Sequence, residues 1–509
     1  MEERRTAIKG DDDVATAVKS EDAYTYDEAV ELTGHGRYNY LLLAVCCIIA
    51  NAFALDMFGF ATVVAASSCD LKMGLKEIGI LASAPFAGVL FAFPWGYYAD
   101  THGRRRALLL STAVGFLFAA VSSVAPSWQF MLAVKLIGSS FSTASFTLCM
   151  TFLGECTVMQ HRSQFLQIMN SFNLASEAVA FSLAYLILPQ NFNLPLPWFS
   201  MTFRPWRLFT FILALPLGIG AIFTYWLEES PKYLASRGHH VKALEVLEKI
   251  YKVNGGKKDG YPVKHILTSD TEAKQATSFW ASISEHTAPI FKPPLLWRTV
   301  QLFFLIALCC STNNVFAMWF PTMLNFFYNS FNEEQKTAQS FCDRIYSQTK
   351  VSPETETYTC NDTISNNTLY SGMVCGLFFF LVNLGISKFA SRPRLILITT
   401  LVVAGVSSSL VNLKEPVANM VFFALVQSTA LGIGSVAAYF VEMYPTCHRG
   451  LVTSLGMMVA RLVSFMGVNV IGLVITSHCE LTFYFFSLLG FSGVVVAMFL
   501  PPDRKTVSK

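Results

Sequence analysis

About twelve runs of mostly apolar residues, each roughly 20 residues long, follow one another along this chain, and a run of that length is what a helix needs to cross a bilayer. They are centred near Ile48, Phe86, Val114, Thr143, Ala180, Ala214, Ala307, Phe379, Val402, Leu425, Val463 and Leu489. With 53% hydrophobic residues, 44 Phe and only 14% charged residues among 509, they are too many to wrap into one water-soluble core. Strand-period alternation is absent, so the runs read as helices and not as barrel strands. The expected class is therefore an all-α polytopic membrane protein with the lipid bilayer as its first partner. A net charge of +3, with basic residues dispersed among loops, excludes nucleic acid as a partner.

Residues 1–38 are polar and mixed in charge, and the first apolar run is long enough to span, so no cleavable leader is expected and the amino terminus is placed in the cytosol. With twelve spans both termini are then cytosolic, and Lys and Arg favour the cytosolic loops by roughly three to one, as the positive-inside rule requires. Two N-x-[ST] sequons, Asn361-Asp-Thr363 and Asn366-Asn-Thr368, fall in a long loop at 329–370 that this topology puts outside. Asn361 is the better acceptor, because Asn366 lies almost against the next helix.

The runs divide six and six around a hydrophilic segment at 228–296. The expected units are a bundle over 39–227, the linker, a second bundle over 297–500 that includes the outer loop, and a tail at 501–509. Within the linker, Val241, Leu244, Leu247 and Tyr251 share one face of an expected helix, with Lys242, Glu245, Glu248, Lys249 and Lys252 around the other, and Gly255-Gly256 ends it. A second helix is expected near Thr277, and the first 20 or so residues read as disordered.

An internal repeat supports the division. Glu155-Cys-Thr-Val-Met-Gln-His-Arg162 after the fourth run and Glu442-Met-Tyr-Pro-Thr-Cys-His-Arg449 after the tenth have the same acid-to-arginine spacing. A turn after the second run, Gly96-Tyr-Tyr-Ala-Asp100-Thr-His-Gly103-Arg104-Arg105-Arg106, has an echo at Gly385 to Arg394 in which Phe389 replaces the acid. These residues resemble the major facilitator superfamily, whose signature is G-x-x-x-D-x-x-G-R-R, and the resemblance covers every run. It implies two pseudo-symmetric six-helix bundles that rock about a central solute site. Thr33-Gly-His-Gly-Arg37, Ser68-Cys-Asp-Leu71 and Leu227-Glu-Glu-Ser-Pro-Lys-Tyr-Leu234 further resemble the branch of synaptic vesicle glycoprotein 2 and its related protein. Organic cation transporters carry a large loop between the first two spans, where this chain has only about Ala65 to Lys76. Sugar porters carry paired glutamines where this chain has Cys309 and Cys310, although Asn314 matches.

In a two-bundle rocker the Gly96 turn has a physical role. Asp100 can sit at the positive end of the helix beginning near Gly450, while Arg104 to Arg106 pair with acids such as Glu155, latching the cytosolic side. Glu155, Arg162, Glu442 and Arg449 complete the expected gate.

Four ionisable residues fall inside apolar runs: Asp56, Lys135, Glu177 and Arg461. Each costs roughly 2.5–3.5 kcal/mol at a helix centre, so each needs a partner or a wet cavity. Asp56 and Lys135 lie at similar depth, roughly 12 Å from the same membrane face, and can pair. Proton-coupled sugar porters resemble this in pairing a fourth-span arginine with a first-span acid, which makes Asp56 the expected proton carrier and Lys135 the group that tunes it; a static ion pair is the alternative. Glu177 favours a cationic solute and Arg461 an anionic one, which leaves the solute's charge open. Asn173, Asn313, Asn314, Trp319 and Tyr439 are candidates for a polar cavity wall.

Of the twelve cysteines, Cys342 and Cys360 share the sequon loop and can form a disulfide, whereas a Cys69–Cys479 bridge would tie opposite bundles and oppose rocking. There is no metal-ligand spacing, no phosphate-binding glycine loop and no nucleophile with a base, so neither cofactor, metal nor enzymatic activity is expected. The expected function is secondary active transport of a small polar or charged organic solute with protons, by a monomer in the plasma or a vesicle membrane. A passive facilitator and a non-transporting regulator of secretion remain as alternatives.

Overall fold

The computed structural model describes residues 23–196, 201–256, 260–267, 288–293, 295–332, 339–349, 364–386, 392–444 and 446–502. Helices dominate it, because in hydrocarbon only a structure that satisfies its own backbone can span. Among the described residues nine helices are long and apolar enough to cross a membrane: Arg37–Ser67, Arg104–Ser122, Trp128–Glu155, Pro205–Trp226, Leu295–Asn329, Asn366–Ile386, Pro393–Leu410, Pro416–Phe440 and Val452–Met498.

Nine differs from the expected twelve where helices break or fuse. Around Phe86 the chain runs as Leu75–Ala87, a tight turn Gly88–Phe91 and Ala92–His102, with Pro85 withholding a backbone donor just before the break. Around Ala180 it runs as Met159–Leu174 and Ser176–Ile187, of 16 and 12 residues, each too short to span alone. The runs near Val463 and Leu489 lie in one helical stretch, Thr446–Met498, interrupted at His478, whose φ of −140° and ψ of 48° are not helical.

Two buried apolar clusters belong to separate halves. One gathers Leu42, Ile49, Leu148 and Phe152 with Val246 and Ile250 of the linker; another gathers Leu305, Leu401, Phe440 and Val494. A third joins the halves through Phe181, Phe316, Trp319 and Val468. Close approach there depends on glycine. A Cβ at Gly79 would stand 3.4 Å from the Gly472 Cα and 3.3 Å from the Trp319 ring, and one at Gly376 would meet the Ala178 backbone.

The linker is fastened to the first half. Its helix, His240–Val253, buries Ala243, Val246, Leu247 and Ile250, whereas Val241, expected on that face, is exposed. The buried stripe is rotated because Ala243 and Leu247 pack into a cluster with Ala29 and Val30, while Val246 and Ile250 join the cluster of the first long helices. Asn254 closes the helix, accepting from the Tyr38 N–H at 3.0 Å and donating to the Thr33 and Gly34 carbonyls, and Gly255 follows with φ +91°. Ala23–Thr25 pairs in parallel with His265–Leu267, a connection that apolar periodicity does not reveal. Thr277 and residues 1–22 lie outside the described residues.

The disulfide corrects the expectation. Cys342 is bonded to Cys479 and not to Cys360, which lies outside the described residues. The short helix Phe341–Thr349 docks on the break at His478: the Tyr346 hydroxyl accepts from the Cys479 N–H at 2.8 Å, and Asn412 accepts from the Cys342 N–H at 2.9 Å. Both cysteines lie on the C-terminal side of the linker, so this bond does not cross it. Cys69 is also disulfide-bonded. Cys342→Ser and Cys479→Ser should each lower thermal stability by the equivalent of about 2–4 kcal/mol, and the double variant no further. Additive losses in a melting experiment would refute a shared bond.

Candidate functional site

Two buried charges, Asp56 and Lys135, are paired with each other. Residues Leu55–Gly59 form a π-helical turn within the first long helix, which widens the backbone ladder there and frees a carbonyl. Lys135 fills the opening: its Nζ donates to the Asp56 carbonyl and to Asp56 Oδ1, each at 2.5 Å. Ser142 Oγ donates to the other carboxylate oxygen at 2.8 Å, and the Phe60 ring lies 4.4 Å from the ammonium. Side chains of the pair are only 4% and 7% exposed, and the space beside them is about 10 Å³, room for about one water. Ser142 follows Lys135 by two helical turns on one face, a signal that was available in the spacing.

Glu177 and Arg461 are not brought into contact with each other. Glu177, half-buried, lines a small gap with Phe58, Thr62, Phe181, Ala317 and Phe320, and among the described residues it has no hydrogen bond or ion pair. Arg461 is buried and stacks its guanidinium 5.6 Å from the Phe53 ring, without an acidic partner among the described residues. The Asn173 side-chain oxygen is buried without a hydrogen-bond partner. Asn313 donates to its neighbour Asn314 in the same helix, and Asn314 donates to Ser464 at 3.0 Å, so Asn314 is the amide that ties two helices together.

Two expected wall residues sit elsewhere. Trp319 donates its indole N–H to the Val468 carbonyl at 3.1 Å and packs against Gly79 and Gly472, plugging the seam between halves. Tyr439 is sealed inside the second half with its hydroxyl on the Pro501 carbonyl, near the end of the bundle and not at its middle. Polar contacts across the halves that the sequence did not reveal run from Asn383 to Gln167 and Ser171, and from Tyr370 to Tyr185.

At the turn end, Gly103 takes φ +107°, which lets the helix Ala92–His102 reverse directly into Arg104–Ser122. Gly96 is an exposed helical residue one turn before Asp100. Arg104 joins Asp100, four residues earlier, to Glu155, at 3.5 Å from the latter. Asp100 is 65% exposed and its carboxylate is held by Arg104, one turn along; the side chains around Gly450, where its seat is expected, lie outside the described residues. Arg105 points its side chain at the Thr224 and Tyr225 carbonyls and gives its backbone N–H to Glu229 at 2.9 Å, while Arg106 is exposed. Arg162 pairs with Asp27 at 3.5 Å. The side chains of Glu442 and Arg449, and Asn361, lie outside the described residues; Asn366 opens its helix, and Thr368 of that sequon is buried with its hydroxyl on Ser365.

The other half of this network was in view only as a family tag. Glu229 and Ser230 of the Leu227 to Leu234 motif bind Arg105 and Glu155, Tyr233 donates to the Thr101 carbonyl at 2.9 Å, and Arg237 to the Asp100 carbonyl at 2.8 Å. Tyr26 donates to the Glu155 carbonyl at 2.8 Å. Burial, then the nearby Cys156 and Glu155, push its phenol well above its ordinary range, keeping it a donor. Each of these partners belongs to the first half or the linker.

The arrangement thus combines a buried, hydrogen-bonded ion pair at Asp56 and Lys135, two ionisable side chains, Glu177 and Arg461, without an ion-pair partner among the described residues, and ionic ties at the turn end. Lys135→Ala should destabilise the fold by about 3–5 kcal/mol, because it strands a buried carboxylate. Asp56→Asn combined with Lys135→Met should melt well above Lys135→Ala alone; equal melting temperatures would show that the pair's charges are not what the fold balances.

Compared with known proteins, the description "Major Facilitator Superfamily" matches residues 44–338. The chain is 24% identical to human synaptic vesicle glycoprotein 2B over 379 residues, 68% of this chain and 54% of that protein. It is 26% identical to organic cation/carnitine transporter 7 of Arabidopsis thaliana over 232 residues, 45% of this chain and 44% of that one, despite the short connection between Ser67 and Leu75. The chain thus spans about half the length of the curated relatives it matches. Among solved structures it resembles the inward-open xylose transporter XylE of E. coli with a TM-score of 0.63 at 12% identity, covering 92% of this chain and 98% of that one.

Proposed function

The chain belongs to the Major Facilitator Superfamily, and from that premise we propose that it is a secondary active transporter that moves a small polar or charged organic solute with protons by alternating access. The observation that carries this reading is the buried Asp56–Lys135–Ser142 cluster at the π-helical turn. A carboxylate held only by a lysine and a hydroxyl can release its partner when protonated, and the π-helical turn gives the helix a place to adjust. The xylose proton symporter among its structural neighbours supports coupling to protons by fold likeness.

Twelve spans in two bundles, 39–227 and 297–500 about the linker 228–296, fit the nine long helices: the stretch interrupted at His478 counts as two, and the broken helices around Phe86 and Ala180 supply two more. Both termini and the Gly103 turn are then cytosolic, the Cys342–Cys479 bond and the sequons lie on the oxidising side, and Asn361 is the better glycan acceptor because Thr368 is buried. Similarity to synaptic vesicle glycoprotein 2B favours that branch. The turn network works as a brace between the first bundle and the linker, and Glu155, at its centre, matters more than exposed Asp100.

Proteoliposomes screened for solute-dependent proton uptake test the function. With a solute so found, Asp56→Asn should abolish accumulation against a gradient while exchange down a gradient continues; unchanged accumulation would leave the pair a static brace and the protein a facilitator. Turnover should fall further in Glu155→Gln than in Asp100→Asn, and the opposite order would count against the brace.

A further inference from the structure

Of the four ionisable residues singled out within the apolar runs, Asp56 and Lys135 neutralise one another, which leaves Glu177 and Arg461 to be accounted for. Glu177 stands on the first half with no partner among the described residues, facing Phe58 of the first long helix and Ala317 and Phe320 of the second half. Arg461 stands on the second half, buried, against Phe53 of that same first helix. Phe53 and Phe58 are separated by a rise of roughly 7 Å, so the two charges border the same seam at neighbouring depths. They do not touch.

An unpaired charge in hydrocarbon costs several kcal/mol, and a solute of one sign would relieve only one of these while leaving the other. We infer that the solute is a short organic zwitterion, an ω-amino acid or betaine, whose ammonium group meets Glu177 and whose carboxylate meets Arg461. This rests on the transport reading and deepens it. Because the two groups belong to different halves, such a solute bridges them, and the energy gained is available only when the halves close about it. Singly charged analogues would bind one half without drawing in the other. The gap beside Glu177 is about 10 Å³, so the halves must part to admit the solute.

The test uses the purified full-length chain and a ladder of probes: glycine, 3-aminopropanoate, 4-aminobutanoate and 5-aminopentanoate with their trimethylammonium forms, against butylamine, butanoate and xylose. Thermal stabilisation reads binding, and counterflow in proteoliposomes reads transport. At least one zwitterion should raise Tm and exchange, with butylamine and butanoate at least tenfold weaker. Glu177→Gln should reverse the preference toward the carboxylate-only probe, and Arg461→Gln toward the amine-only probe. The wild-type ladder needs neither variant to fold. Stabilisation by a zwitterion without exchange would support the site and overturn the transport reading. Exchange of xylose or of a singly charged probe, unchanged in Glu177→Gln, would support transport and overturn the site. A ladder with no active member overturns the zwitterion.

Discussion

An ammonium and a carboxylate buried 2.5 Å apart, Lys135 against Asp56, tie the first long helix to Trp128–Glu155, and the surrounding geometry follows from keeping that pair satisfied. Neither charge could stay in hydrocarbon alone. The π-helical turn supplies the extra carbonyl that the ammonium needs, Ser142 takes the remaining carboxylate oxygen, and Phe60 covers the pair. The cluster is complete within the first half: the partners of Asp56 and Lys135 among the described residues belong to the first long helix or to Trp128–Glu155.

A second set of interactions has the opposite character. The contacts between halves are made by close backbone approach at Gly79, Gly472 and Gly376, by the Trp319 plug, and by neutral amides and hydroxyls such as Asn383 with Gln167 and Ser171. These are neutral contacts, whereas Arg461 sets a charged group against the other half, its guanidinium 5.6 Å from the Phe53 ring. The full charges at the turn end are kept within the first half and the linker, where Glu155 accepts from Ser230 and pairs with Arg104. Salt bridges thus lie inside the first half and linker, and neutral hydrogen bonds lie between the halves.

Much of this was legible in residue order. The length of the apolar runs announced helices, and counting residues from the helix ends brought Asp56 and Lys135 to the same depth. What residue order concealed has physical causes. Irregular turns at Leu55–Gly59, Gly88–Phe91 and His478 follow from packing and leave no periodic signature. Four cysteines in outward loops allow three pairings, and Cys342 finds Cys479 only because the kink at His478 and the docking of Tyr346 bring distant segments together. Glu229 and Ser230 were visible as a motif, yet their partners at Arg105 and Glu155 are set by the reversal at Gly103. Tyr439 looked like a wall residue because residue order does not show that its hydroxyl meets the Pro501 carbonyl, 62 residues later.

The π-helical turn has a consequence for comparing this chain with its relatives. It stores one residue more than a regular helix would use between Ala54 and Phe60. Deleting that residue would return the segment to ordinary winding while the flanking helices keep their buried faces, so an insertion or deletion here is far cheaper than elsewhere in a span. Aligned sequences should therefore place a single-residue gap at this turn, and the gap would mark which relatives present a free carbonyl to a fourth-span cation and which have closed it.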